Sequence, residues 1–150
     1  MTTATAIESP ERQVWAAIEA HLRAAGLPHA GVDAAAHWLV VRRDGRIAGS
    51  AAVETYGDAG LLRSVAVDAA ARGAGFGALL VRASIDWARA HGLYDLYLLT
   101  ETADQWFPRF GFAPVAPSLL PPAIAACRHA TDACASTAVA MRLRLGEDAA

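Results

Sequence analysis

The most constraining stretch of this 150-residue chain is Leu61-Leu62-Arg63-Ser64-Val65-Ala66-Val67, then Asp68-Ala69-Ala70-Ala71, then Arg72-Gly73-Ala74-Gly75-Phe76-Gly77. An apolar run of strand length meets a glycine cluster, and Ala78-Leu79-Leu80-Val81 behind it begins a helical pattern. Glycines at 73, 75 and 77 let the backbone approach a bulky group with no Cβ in the way. A helix N-terminus there leaves several N–H groups without intrahelical partners and carries partial positive charge. Together these features make a seat for phosphate oxygens.

Composition narrows the phosphate. All 13 basic residues are arginine, against 15 acidic ones, for a net charge of −2. Such a balance gives no global attraction to nucleic acid or to an anionic membrane. Without lysine there is no Schiff-base chemistry on that side chain, and no Walker-type loop, which needs Gly-Lys-Ser/Thr. A GC-rich genome favouring arginine and alanine codons accounts for the bias. The dinucleotide fingerprint Gly-x-Gly-x-x-Gly also fails, because the glycines run 73, 75, 77. Two cysteines, no charged-then-apolar leader and no run of about 18 apolar residues make a soluble cytoplasmic protein the expectation.

In chain order, residues 1–7 suit an edge strand or a loose tail. Ser9 reads as an N-cap with Pro10 at the first helical position, and Val14, Trp15, Ile18 and Leu22 fall at helical spacing through Glu11–Ala25 before Gly26 and Pro28. Strands are expected at His37–Arg42 and Arg46–Tyr56 around the hairpin signal Asp44-Gly45. Gly57-Asp58 then turns the chain into 61–67, completing an antiparallel meander that delivers it to the glycine loop. Phe76–His91 reads as a helix with an apolar stripe of Leu79, Leu80, Ala83 and Trp87, ended by Gly92. Leu93–Thr100 suits a parallel crossover strand. Thr102–Phe110 reads as a short helix, and Pro114–Pro122 cannot be a central strand. Ala123–His129 reads as a further short helix and Thr137–Leu145 as a terminal strand, with 146–150 a disordered tail. The expected architecture is mixed α/β (α+β): one domain over 1–150, with a mostly antiparallel central sheet, one parallel crossover and flanking helices.

Arg72-x-x-Gly75-x-Gly77, after a strand ending Val65-Ala66-Val67, resembles the acetyl-CoA-binding motif of the GNAT N-acetyltransferase superfamily. The element order is the GNAT order across nearly the whole chain. Thr100-x-x-Ala103-x-x-Trp106-Phe107-x-x-x-Gly111-Phe112 is similar to the family's Asn-x-x-Ala-x-x-Phe-Tyr-x-x-x-Gly-Phe. More narrowly, Leu61–Ser64, Leu96–Thr100 and the segment 123–137 with Cys134 look like the arsenic-resistance-associated branch.

The resemblance implies acetyl-CoA as co-substrate, held at Val65, Ala66, Val67, Arg72, Gly73, Ala74, Gly75, Phe76, Gly77, Thr100 and Phe107. Amides from Gly73 to Gly77 would hold the pyrophosphate. The pantetheine arm would pair like a strand with backbone at Val65 and Val67, and the N–H near Val65 would stabilise the oxyanion. Side chains of Val65 and Val67 equally serve core packing, and Arg72 either anchors loop or phosphate or is merely solvated. Phe107 replaces the family's tyrosine and has no proton for the departing thiolate. That weakens activity rather than abolishing it, since a free thiol has a pKa near ~8.5. Tyr56 or Tyr97 could substitute, or serve only as half-buried strand residues.

The acceptor amine must lose a proton before attack. Glu54 and Glu101 are the candidate bases, each equally readable as a surface carboxylate, and His37 is better read as a strand residue. Arg63 lies in an apolar strand, where a charge needs a partner. Two readings stay open: a clamp for a carboxylate, phosphinate or arsinate on the substrate, or a salt bridge to Glu54. Tyr56, Trp106, Arg109 and Arg128 complete the candidate acceptor side. Cys127 and Cys134 do not make a zinc set, even with His129, so no metal is expected.

The expected function is direct acetyl transfer to the amine of a small molecule, an amino acid or an arsenic- or phosphorus-bearing analogue. A catalytically weak acyl-CoA sensor or partner module, motivated by Phe107, is the alternative. A trivalent-arsenic binder using the cysteines is a third. The expected partners are that amine and, as in many relatives, a second copy of the chain in a homodimer, with no nucleic acid and no membrane.

Overall fold

The computed structural model describes residues 7–9, 15–26, 36–71, 73–101, 103–126 and 138–146. Its elements are β1 (Ile7–Glu8), α1 (Trp15–Ala24), β2 (Ala36–Arg43), β3 (Arg46–Tyr56), β4 (Ala59–Val67), α2 (Phe76–Ala90), β5 (Asp95–Thr100), β6 (Ala113–Pro114), α3 (Pro122–Ala125) and β7 (Val139–Arg144). Single 3₁₀ turns lie at Ala69–Ala71, Phe107–Phe110 and Pro117–Leu119. Hydrogen-bonded strand neighbours follow the order β1-β2-β3-β4-β5-β7-β6. The β4–β5 pair is parallel, whereas β1–β2, β2–β3, β5–β7 and β6–β7 are antiparallel. The mixed α/β fold with one parallel crossover is therefore as expected. The chain divides into two compact units, 1–54 with 62–86, and 55–61 with 87–150.

In the first unit, Asp44 (φ 55°) and Gly45 (φ 79°) both take left-handed backbone, as a two-residue hairpin turn between β2 and β3 requires. Helix α1 buries Ile18, His21 and Leu22, one face at i, i+3, i+4. Ile18 and Leu22 pack in a core with Trp38, Val40, Ile47, Ala52 and Ala66, and Trp15 leans against it. Ser9, read as an N-cap, places its hydroxyl 3.1 Å from His37 Nε2. The first turn it would cap, including Pro10 and Val14, lies outside the described residues.

Helix α2 buries Phe76, Leu80, Val81, Ser84, Ile85 and Ala88. The stripe therefore differs from the expected one: Leu79 is exposed, and Ala83 and Trp87 are half-buried. The packed rows, 80-84-88 and 81-85, are i±4 ridges, and Leu79 lies about 100° off the first of them. Ser84 sits on the buried face because its hydroxyl donates to Leu80 O at 2.8 Å and so brings no unmet polar group inside. The approach of α2 is close at β3. A Cβ on Gly49 would lie 2.8 Å from Leu80 Cδ1, 3.0 Å from Val41 Cγ1 and 3.3 Å from Ala66 O.

In the second unit, Ala59–Leu61 of β4 runs parallel to Asp95–Tyr97, and β5 pairs along its whole length with β7. Ala59, Leu61, Tyr97, Leu120, Ile124 and Ala140 form its core, with Tyr56, Leu99 and Val115 packed against it. Pro114 lies in the two-residue strand β6 at the end of the sheet order, the kind of place a strand tolerates proline. The expected helix over Thr102–Phe110 is instead a turn followed by one 3₁₀ turn, stopped by Gly111 at φ 104°. Pro108 removes an N–H that an α-helix would need. Of the helix expected over Ala123–His129, α3 supplies the first turn; the positions from Cys127 to Thr137 lie outside the described residues.

Candidate active site

Ser64 is the least ordinary backbone in β4. Its φ is 59°, and apart from the turn residue Asp44 it is the sole non-glycine with positive φ among the described residues. A left-handed residue inside a strand turns the peptide that follows, as a bulge does. In the β4–β5 ladder Ala59 pairs with Asp95, Gly60 with Leu96 and Leu61 with Tyr97. Ser50 of β3 steadies the bend, its buried hydroxyl donating to Ser64 O at 2.9 Å.

The end of β4 is pinned by two contacts that sequence reasoning missed. Asp68 N–H donates to Ala48 O at 2.8 Å, and the Asp68 carboxylate lies 2.9 Å from Nδ1 of buried His21. His21 Nε2 also lies 3.4 Å from Ala66 O. The helical spacing Ile18, His21, Leu22 was the signal that could have placed this histidine inside. From this anchor the chain enters the loop, where Gly73 (φ 90°) and Gly75 (φ 84°) take left-handed backbone with nothing within 4 Å of where a Cβ would sit. Gly73, Ala74 and Gly75 are exposed, Phe76 is buried, and α2 begins at Phe76 with Leu79 N–H bonded to Gly75 O. The loop thus presents exposed backbone at a helix start, the geometry that receives phosphate oxygens, with the Ala74 N–H bonded to Ala71 O at 3.4 Å. Arg72 lies outside the described residues.

Beside the bend, Arg63 is buried, 7% exposed. Its Nε lies 2.9 Å from Glu54 Oε2, an ion pair off the line of a straight hydrogen bond. Nη1 donates to Ser64 Oγ at 3.1 Å, and the guanidinium carbon sits 5.1 Å from the Trp38 ring centroid. The salt bridge left open as one of two readings of Arg63 is therefore formed. Trp38 and Ser64 are further partners that the sequence did not reveal. Glu54 is half-buried, its side chain 14% exposed.

In the second unit, Thr100 Oγ1 accepts the Ala103 N–H at 3.0 Å, tying the end of β5 to the following turn. Trp106 meets Phe107 and Phe110 edge-on at 4.9 and 5.0 Å between ring centroids, and Phe107 meets Phe112 at 5.7 Å. Phe107 is buried, and Arg109 lies over Trp106 at 5.4 Å with Nε donating to Trp106 O. Glu101 is exposed just after β5, Tyr56 is half-buried, and Tyr97 is core at 5% exposure. Arg128, Cys127 and Cys134 lie outside the described residues. Among the described residues, no helix is long and apolar enough to cross a membrane.

Residues 5–112 match the model of the acetyltransferase (GNAT) family. The chain belongs to that family. Acetyl-CoA is the acyl donor of GNAT enzymes, and the matched residues take in β4 and its glycine loop. An amino-acid acetyltransferase of Neisseria meningitidis serogroup A is 32% identical over 84 residues, 55% of this chain and 19% of that protein. The GNAT chain described here thus spans about a fifth of the length of the curated relatives it matches. The N-acetylglutamate synthase of Neisseria gonorrhoeae, solved with coenzyme A and N-acetyl-glutamate, superimposes with a TM-score of 0.78 at 22% identity, over 97% of this chain and 36% of that one. A GNAT-family acetyltransferase of Staphylococcus aureus Mu50 superimposes with a TM-score of 0.77 at 13% identity, over 95% and 99% of the two chains.

Proposed function

We propose that this GNAT domain transfers the acetyl group of acetyl-CoA directly to the α-amino group of an amino acid or a close acidic analogue. The observation that carries the reading is the left-handed backbone of Ser64 within β4, three residues before the strand ends and the chain passes to the open glycine loop at the start of α2. Amides of Gly73–Gly77 hold the donor's pyrophosphate, with Arg72 beside them, and backbone at Val65 and Val67 pairs with the pantetheine arm. Thr100 and Phe107, which stand where the family motif has asparagine and tyrosine, are proposed for the donor site by their position in that motif.

In the reaction the amine nitrogen attacks the thioester carbonyl carbon, and the Val65 N–H faces the oxygen as negative charge develops there. The tetrahedral intermediate collapses, the C–S bond breaks and CoA leaves as thiolate. Glu54, held by Arg63, takes the amine proton directly or through water; Glu101 is the other candidate. With Phe107 in place of a tyrosine, the thiolate leaves unaided and takes its proton from solvent.

Support for an amino-acid acceptor is the resemblance to amino-acid acetyltransferases together with a buried cation, Arg63, two residues before Val65. Tyr56, Trp106, Arg109 and Arg128 are proposed for the acceptor side. An arsenic- or phosphorus-bearing amino acid is the narrower candidate, resting on the likeness of 61–64 and 96–100 to the arsenic-resistance branch. The test is thiol release from acetyl-CoA across a panel of amino acids, arsinate and phosphinate analogues, and neutral amines. Release that needs an α-amino acid supports the reading. Tight acetyl-CoA binding with no release on any amine would instead favour the sensor alternative.

A further inference from the structure

Two arginines face each other at the tip of the β2–β3 hairpin, where Arg43 is registered directly opposite Arg46. Directly opposed residues of an antiparallel pair project to the same face, and like charges so placed repel. Both are exposed, and among the described residues neither forms an ion pair with a carboxylate. Both line an open cavity of about 480 Å³ with Asp44, Ala48, Asp68 and Ala71. Asp68 is already engaged, its carboxylate by His21 at 2.9 Å and its N–H by Ala48 O at 2.8 Å. Asp44 and Asp68 match the two guanidiniums in charge, but the Asp68 carboxylate is turned to His21, which leaves Arg43 and Arg46 as the groups open to an anion. The cavity also borders the donor loop, since Ala71 precedes Gly73 by two residues.

We propose that this cavity takes a phosphate monoester dianion, the ribose 3′-phosphate of acetyl-CoA, with Arg43 and Arg46 as its guanidinium ligands. The inference rests on the donor seat at Gly73–Gly77 proposed above. Coenzyme A carries its 3′-phosphate on the ribose attached to the pyrophosphate, so a molecule seated on the loop brings a second anionic group to the loop's edge. A guanidinium fork matches phosphate oxygens geometrically, and a dianion between Arg43 and Arg46 turns their repulsion into two attractions. The otherwise unfavourable cross-strand pair is thereby explained.

The experiment is calorimetric titration of the full chain with acetyl-CoA and with 3′-dephospho-acetyl-CoA, repeated on an Arg43→Gln, Arg46→Gln variant. Both positions are exposed at a hairpin tip, so the variant keeps the fold, and its melting temperature checks this. Wild type is expected to bind acetyl-CoA about tenfold more tightly than the dephospho form, the effect of one or two partly exposed charge-assisted contacts. The variant is expected to bind both forms alike, at the affinity wild type has for the dephospho form. Equal wild-type affinities, discrimination that survives in the variant, or equal losses for both ligands would each overturn the assignment. Failure of wild type to bind either form would overturn the donor seat itself, and this inference with it.

Discussion

Removing Arg63 should both destabilise the domain and blunt its preference for acidic acceptors. The Arg63 and Glu54 side chains are 5% and 14% exposed, with Nε and Oε2 2.9 Å apart. Opposite charges at that separation attract by roughly 6 kcal/mol at an effective dielectric of about 20, most of it offset by desolvation. Truncating one member of a fully buried pair costs about 3–5 kcal/mol, because the survivor stays charged and unpaired. Glu54 keeps some exposure, so about 2–3 kcal/mol is expected, with about 1 more from the lost contact with Trp38. For a chain of this size Arg63→Met should lower Tm by about 6–16 °C. Glu54→Gln should cost less, and the double variant less than the sum of the two, with a coupling of about 1.5–3 kcal/mol in urea melts. Additivity within about 0.5 kcal/mol would refute the claim that the pair acts as a unit. Assayed at a temperature where it stays folded, Arg63→Met should raise KM for acidic amino acids and leave acetyl-CoA affinity unchanged. An unchanged KM for every acceptor would remove Arg63 from the substrate side and leave it a purely structural cation.

Gly49→Ala should destabilise by about 1–3 kcal/mol, since the new methyl meets Leu80, Val41 and the Ala66 carbonyl at 2.8–3.3 Å; an unchanged urea midpoint would contradict that packing. Gly75→Ala meets no neighbour but must hold φ at 84°, costing about 1–2 kcal/mol; acetyl-CoA affinity should fall, and a variant binding as tightly as wild type would take the loop out of the donor seat. Glu54→Gln should lower kcat by about 10²–10⁴-fold with acetyl-CoA binding intact if Glu54 is the base, and full activity would transfer that role to Glu101. Phe107→Tyr should change kcat by less than about tenfold, because thiolate is a competent leaving group near its pKa of ~8.5; a hundredfold rise would show that thiolate protonation limits the reaction.

Much of this architecture was legible because local chemistry and tertiary packing agree. Asp44-Gly45 demanded a hairpin turn, Arg46–Tyr56 is the full extent of β3, and the apolar run ending at Thr100 became the parallel strand. Where the reading fell short, the deciding interaction lay outside the local sequence. Serine carries no mark of left-handed backbone, so the bend at Ser64 could not be read from an apolar strand. The α2 stripe lies one residue on from the expected one and takes in Ser84, whose hydroxyl is satisfied within the helix. The ion pair of Arg63 with Glu54 was one of two open readings, and choosing between them needed the structure, since the residues are nine apart in sequence and meet across neighbouring strands. The donor loop was proposed from its glycine spacing behind an apolar strand, taken with the element order and the Thr100–Phe112 segment, while Arg43 facing Arg46 required the β2–β3 register.

The most direct test of the donor seat is an amide shift titration of the ¹⁵N-labelled chain with acetyl-CoA. The largest changes should fall on Val65, Val67, Gly73, Gly75 and Gly77, saturating together. Saturable binding that moves amides elsewhere and leaves those five unshifted would contradict the assignment of β4 and its glycine loop as the place where acetyl-CoA is held.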